Sequence, residues 1–127
     1  MPIDALDRLL IERRTRLRDA DPIAFEALIA GPIGLHLDRL MAASDYAFEQ
    51  LCKRPALMAQ LLEAELEPAL DGLDEAAAMA ALRRWRHAES VRQIARDVAG
   101  LDTVQDTVRA SAVLADRCCQ LALDYAM

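Results

Sequence analysis

Aromatic residues are scarce: one Trp, two Tyr and two Phe make up 4% of the 127 residues. Strands draw heavily on aromatic and β-branched side chains. With Ala and Leu dominating instead, the composition favours helix and excludes an extensive sheet. Only four glycines and five prolines are available to break the chain. Cysteine is limited to Cys52 and the adjacent Cys118 and Cys119. An odd count with a neighbouring pair makes no disulfide framework, and these residues read as small buried hydrophobes in a reducing compartment. Basic residues are outnumbered, 15 against 21 acids, for a formal charge of -6. That balance argues against nonspecific nucleic-acid binding, which needs a basic surface. No apolar run reaches the roughly 18 residues a membrane span requires, and the opening MPIDALDRLL is a charged amphipathic stretch rather than a signal peptide. A cytoplasmic protein without a membrane partner is the expectation.

Catalytic signatures are missing too. The sequence contains no phosphate-binding glycine loop, no dinucleotide turn, no paired cysteine motif and no nucleophile-histidine-acid set on a plausible scaffold. His36 and His87 stand far apart without thiol or acidic partners at ligand spacing, so no metal site is expected. Asp19-Ala20-Asp21 has the spacing of a magnesium-binding carboxylate pair, but Pro22 and a helical run follow it. Asp21 as helix cap with Pro22 in the first turn accounts for it better.

What is present is helical periodicity, and the length suits one domain with one modest core. Residues 1–43 read as short N-terminal helices, 44–73 as a capped helix pair and 74–127 as a long helical hairpin. In the first helix Ile3, Leu6, Leu9 or Leu10, and Leu17 point inward, and Arg13, Arg14, Arg16 and Arg18 load the end with the charge its dipole favours. After the break at Gly31, Pro32 and Gly34, the residues Leu35, Leu37, Leu40 and Met41 mark another short helix. Ser44-Asp45 caps a helix with Tyr46, Phe48, Leu51 and Cys52 on its apolar side, and Pro55 opens a second one running through ALMAQLLEAEL. An acid-rich link with Pro68 and Gly72 follows, expected to be exposed and mobile. Its acids, Glu63, Glu65, Glu67 and Asp71 with Asp74 and Glu75, read as a solvated face and helix-start charges.

The stretch from Ala81 to Gly100, ALRRWRHAESVRQIARDVAG, dominates the chain. With Asp74 as cap and Gly100 as stop, a helix of roughly 25 residues and about 37 Å is predicted. Leu82 and Trp85 begin an apolar stripe that Glu89, Arg92 and Arg96 continue in charged form. From Ala88 onward Val91, Ile94, Ala95 and Val98 form a second apolar line on the opposite side. Glu89 lies one turn from Arg92 and Arg92 one turn from Arg96, so an ion-pair network is expected, with Asp97 reaching another helix. Arg84, Trp85, Glu89, Arg92, Arg96 and Asp97 are therefore the contact candidates, beside Arg83 and Arg86, as a structural network or as an anion or protein contact. A last helix, Val104 to Tyr125, should turn Val104, Val108, Ser111 or Ala112, Ala115, Cys118, Leu121 or Ala122, and Tyr125 inward against the long helix. The fold class predicted is all-α: an irregular helical bundle without strands, its two long C-terminal helices forming an antiparallel hairpin. No stop signal precedes Met127, so the helix either frays there or belongs to a longer polypeptide, and the second is expected.

Three fragments in order carry a family resemblance: SDYAFEQLCKRPALMAQLL from Ser44, the long-helix stretch from Ala81, and TVQDTVRASAVLAD from Thr103. They resemble the N-terminal part of glutamate-ammonia ligase adenylyltransferase, whose members show an S-D-F/Y opening, an L-R-R-F-R helix running to R-I-A-x-R-D, and an E-T-L helix ending L-A-D or L-A-E. The matching positions are Ser44, Asp45, Tyr46; Leu82, Arg83, Arg84, Arg86, Glu89, Arg92, Arg96, Asp97; and Asp106, Thr107, Leu114, Ala115, Asp116. Trp85 takes the place of Phe, and Ser90, Gln93 and Ser111 stand where apolar residues are usual.

The resemblance implies a large bacterial cytoplasmic enzyme of nitrogen regulation with two nucleotidyltransferase domains using Mg and ATP. One half removes AMP from a tyrosine of glutamine synthetase by phosphorolysis and the other attaches it, with PII signal protein and glutamine setting the balance. Implied partners are glutamine synthetase, PII signal protein and the remainder of the parent chain. The G-G/S helix start and strand-borne D-x-D of such catalytic domains are missing from this sequence. The resemblance therefore implies the helical structural or regulatory region of the adenylyl-removing half, with no catalytic residue, no metal site and no cofactor of its own. A free-standing helical adaptor that binds another protein is the alternative.

Overall fold

The structure, a computed structural model, describes residues 4–127. Among them are six α-helices: α1 (Ala5–Ala20), α2 (Pro22–Ala30), α3 (Leu37–Ala43), α4 (Asp45–Lys53), α5 (Glu75–Val98) and α6 (Val104–Ala126). Short 3-10 helices cover Gly34–His36 and Pro55–Gln60, and no strand occurs among the described residues. The chain is all-α, and α5 and α6 pack together as the predicted antiparallel hairpin. No helix among the described residues is long and apolar enough to cross a membrane.

Helix boundaries follow capping chemistry. The side chains of Asp4, Asp21, Ser44, Asp74 and Thr103 each accept a backbone N–H in the first turn of the helix they precede. Asp21 with Pro22 behind it is such a cap, so the Asp19–Asp21 pair is accounted for by helix geometry. Thr103 and Asp106 satisfy each other's backbone donors reciprocally as a capping box. Gly100, at φ +73°, adopts the left-handed conformation that ends α5.

The main core gathers Leu17, Phe25, Leu28, Leu37, Leu40, Met41, Phe48, Leu51 and Met58 around Ala88, Val91 and Ala95 of α5. A smaller cluster of Leu70, Ala78 and Leu82 lies toward the other end of α5, with Leu121 and Tyr125 of α6 against it. The change of apolar side near Ala88, expected from the sequence, is the passage from one cluster to the other.

Four expectations are corrected. In α1, Leu17 is buried and Leu10 packs on the core, but Leu6 and Leu9 are exposed; Ile3 lies outside the described residues. The arginines of this helix do more than balance a dipole. Arg13 donates to the Met41 carbonyl and to Asp45, Arg14 pairs with Asp38, and Arg13 and Arg16 both lie over the Phe48 ring while Arg18 covers Phe25. Helix α1 is thus fastened to α3 and α4 by charge as much as by apolar burial. Leu35 is likewise exposed, unlike Leu37, Leu40 and Met41.

The second correction concerns the run after Pro55, which is a 3-10 helix ending at Gln60 rather than a helix through Leu66. Leu57, Met58 and Leu61 turn into the core. The following backbone finds hydrogen-bond partners on α5, so continuing the helix is no longer the way to satisfy it. Third, the expected inward line of α6 holds only in its second half, where Cys118 is half-buried and Leu121, Ala122 and Tyr125 pack on the smaller cluster; in the first half Leu114 is the buried residue, while Val104, Val108 and Ala115 are exposed. The apolar arc of α6 is wider than one neighbour can cover, so periodicity did not fix which part faces α5. Fourth, Cys52 and Cys118 are only half-buried and Cys119 is exposed.

Candidate functional site

Glu89 is the buried carboxylate of the chain's centre, 5% exposed, on α5 between the two apolar clusters. Burial of an ionised group needs full hydrogen bonding. Its Oε2 accepts from Arg92 Nε at 3.0 Å and Nη2 at 2.6 Å, one helical turn on. Its Oε1 accepts the backbone N–H of Glu65 at 2.7 Å. One turn earlier, Trp85 Nε1 donates to the carbonyl of the same Glu65 at 3.1 Å. Two side chains of α5 therefore take both backbone polar groups of one residue in the non-helical segment 61–73. Arg54, following α4, closes the arrangement by gripping the Glu65 carboxylate with both terminal nitrogens.

The rest of that segment is tied to α6. Arg117 makes a bidentate pair with Glu67 at 2.7 and 2.9 Å, and the Tyr125 hydroxyl donates to the Leu73 carbonyl at 2.7 Å. The Arg117 guanidinium holds the Glu67 carboxyl below its ordinary range. Leu70 is buried beneath the segment. The expected loose link is thus a strap, bound at Glu65, Glu67, Leu70 and Leu73. Two of the acids read as a solvated face have structural work, Glu65 and Glu67 in ion pairs, and Asp74 caps α5 as expected.

Of the six sequence-predicted contact residues, Trp85, Glu89 and Arg92 come together on the strap. Arg96 serves a different joint, holding Asp102 with two hydrogen bonds at 2.9 and 2.8 Å across the α5–α6 turn. This pair lowers the Asp102 carboxyl from its usual value. Asp97 is exposed, and its side chain makes no hydrogen bond or ion pair among the described residues. Arg84 is exposed as well and takes no part in the network. Sequence reasoning missed Arg54, Glu65, Asp102 and Arg117. Arg96 and Asp102 are six apart across a turn, and Arg117 and Glu67 are fifty apart, so helical spacing gave no signal for either.

Comparison with known proteins agrees with the resemblance read from the three fragments. The family model of glutamate-ammonia ligase adenylyltransferase matches residues 35–127. The chain belongs to that family. A bifunctional glutamine synthetase adenylyltransferase/adenylyl-removing enzyme of Stenotrophomonas maltophilia (strain K279a) is 46% identical over 92 residues, covering 69% of this chain and 10% of the relative. The protein of the same description from Xanthomonas oryzae pv. oryzae (strain MAFF 311018) is 39% identical over 119 residues, 90% of this chain and 12% of the relative. The chain thus spans about a tenth of the length of the curated relatives it matches. No solved structure matches it.

The matched region contains α3 to α6 and with them the whole Glu89 clamp. Two positions where the sequence departs from the family pattern meet each other: the Ser111 hydroxyl donates to the Gln93 side-chain amide oxygen Oε1 at 3.1 Å, and Gln93 Nε2 donates to the Ala110 carbonyl at 3.3 Å. A polar pair here joins α5 to α6.

Proposed function

We propose that this chain is the helical, non-catalytic region of the adenylyl-removing half of a bifunctional glutamine synthetase adenylyltransferase. In this reading it supports, and takes part in regulating, removal of AMP from a glutamine synthetase tyrosine in a bacterial cytoplasm. Mg and ATP are then handled by the remainder of the parent chain, and glutamine synthetase and PII signal protein are partners of the whole enzyme. The observation that carries the proposal is the use to which the family-matched charges are put. Glu89, Arg92, Arg96 and Trp85 are all spent on holding the strap and the α5–α6 turn, which suits a rigid support better than a reaction centre.

The purified 127-residue chain is the material for the test. Incubated with adenylylated glutamine synthetase and phosphate it should remove no AMP group and form no ADP, the product of phosphorolysis, and calorimetry should detect no binding of Mg-ATP. Either activity would overturn the non-catalytic reading. The coding sequence after Met127 tests the parentage: a G-G/S and D-x-D block within about 60 residues supports an attached catalytic domain. An immediate stop codon would favour the free-standing adaptor instead.

A further inference from the structure

A groove of about 430 Å³ opens between the end of α4 and the middle of α5. Its α5 wall carries Arg83, Arg84 and His87, its α4 wall Lys53, and its floor includes Leu57 and Ala88. Arg54 also borders it, but that guanidinium is committed to Glu65. Lys53, Arg83 and Arg84 are exposed and make no ion pair among the described residues, and no Asp or Glu lines the groove. In a chain with a formal charge of -6, three permanent cations facing one trough is the reverse of the average surface. His87 registers that field: burial first, then the charges of Arg86, Lys53 and Arg83, hold its pKa below the ordinary value.

The shape of the trough selects among anions. It is open, and its walls are the middle of one helix and the carbonyl end of another, neither of them the α-helix N-terminus that wraps a compact phosphate. The basic side chains follow one face of α5 at Arg83, Arg84 and His87, and Lys53 stands across from them. Such a row of flexible cations over an apolar floor matches carboxylates spaced along an extended backbone at about 3.3 Å per residue. We propose that this groove docks an extended acidic segment of another polypeptide, whose carboxylates pair with Arg83 and Arg84 on one wall and Lys53 on the other. The proposal is independent of the assignment to the adenylyl-removing half.

The test is fluorescence anisotropy of a fluorescein-labelled hexaglutamate peptide titrated with the whole chain at low salt. Saturable binding is expected, weakening as salt rises, and about tenfold weaker in the Arg83→Gln/Arg84→Gln double variant. Arg109→Gln, at an exposed position on α6, should leave it unchanged within about twofold. Absence of saturable binding, equal loss in Arg109→Gln, or full binding in the double variant would overturn the proposal. So would saturable binding of inorganic phosphate, lost in the double variant, without binding of the peptide. Lys53→Gln gives a second, independent variant, and thermal melting of each variant establishes that a loss of binding is not a loss of fold.

Discussion

The two ends of α5 are held in different ways. Around Ala88, Val91 and Ala95 the helix is surrounded by α1 to α4 and the Pro55–Gln60 turn, with Leu17, Phe25, Leu37 and Met41 almost wholly buried. Around Ala78 and Leu82 it meets the strap and α6, and only Leu70 joins them as a fully buried apolar residue. The first end is held by apolar volume, the second by hydrogen bonds and ion pairs laid over a thin apolar layer. The lesson is that a small helical chain can extend a rod beyond its core when a polar strap takes the place of a second core. Glu89 stands at the boundary and belongs to both.

The comparison breaks first at Phe25. Phe25→Ala should cost about 3 to 5 kcal/mol, because the ring is 1% exposed and fills the densest part of the core beneath Arg18. Denaturant unfolding measures it. A loss below about 1 kcal/mol would mean that residues before the family-matched region contribute little to the fold. Phe25 and Leu17 both precede residue 35, where the family match begins, yet they belong to the same core cluster as Val91 and Ala95 inside it.

Glu89→Ala comes next, at about 3 kcal/mol, because it leaves the Arg92 guanidinium and the Glu65 N–H without their partner. A loss under about 0.5 kcal/mol would put the carboxylate in the class of surface pairs and remove the strap's anchor from the account. Much of this was legible in the sequence. The helix limits of α5, the change of apolar side at Ala88, the Glu89–Arg92 pair and the caps at Asp21, Ser44 and Asp74 all follow from local spacing. The strap did not, because its bonds join Glu65 to Trp85 and Glu89, and Glu67 to Arg117, across distances in sequence that no helical period spans. The register of the first half of α6 failed for a related reason: Val104, Val108 and Leu114 are all apolar, and only the packed neighbour decides which of them is covered.

The smallest effect separates the two ends by pH. His87 is held below its ordinary pKa, so it stays neutral in the fold while the unfolded chain takes up a proton below about pH 6.5. Its contribution therefore weakens as pH falls from that point. Asp102 and Glu67 are carboxyls depressed by Arg96 and Arg117, so what they contribute is complete above the ordinary carboxylate range and is lost as pH falls through their folded values. Stability measured against pH should accordingly fall in two stages, the first removed by His87→Gln and the second reduced by Asp102→Asn. Glu67 and Asp102 bind arginines at the strap and at the α5–α6 turn, whereas His87 faces Tyr46 of α4 at a ring separation of 6.0 Å. A single-stage profile insensitive to Asp102→Asn would mean that the ionic joint at the α5–α6 turn adds nothing to the rod that the apolar clusters do not already supply.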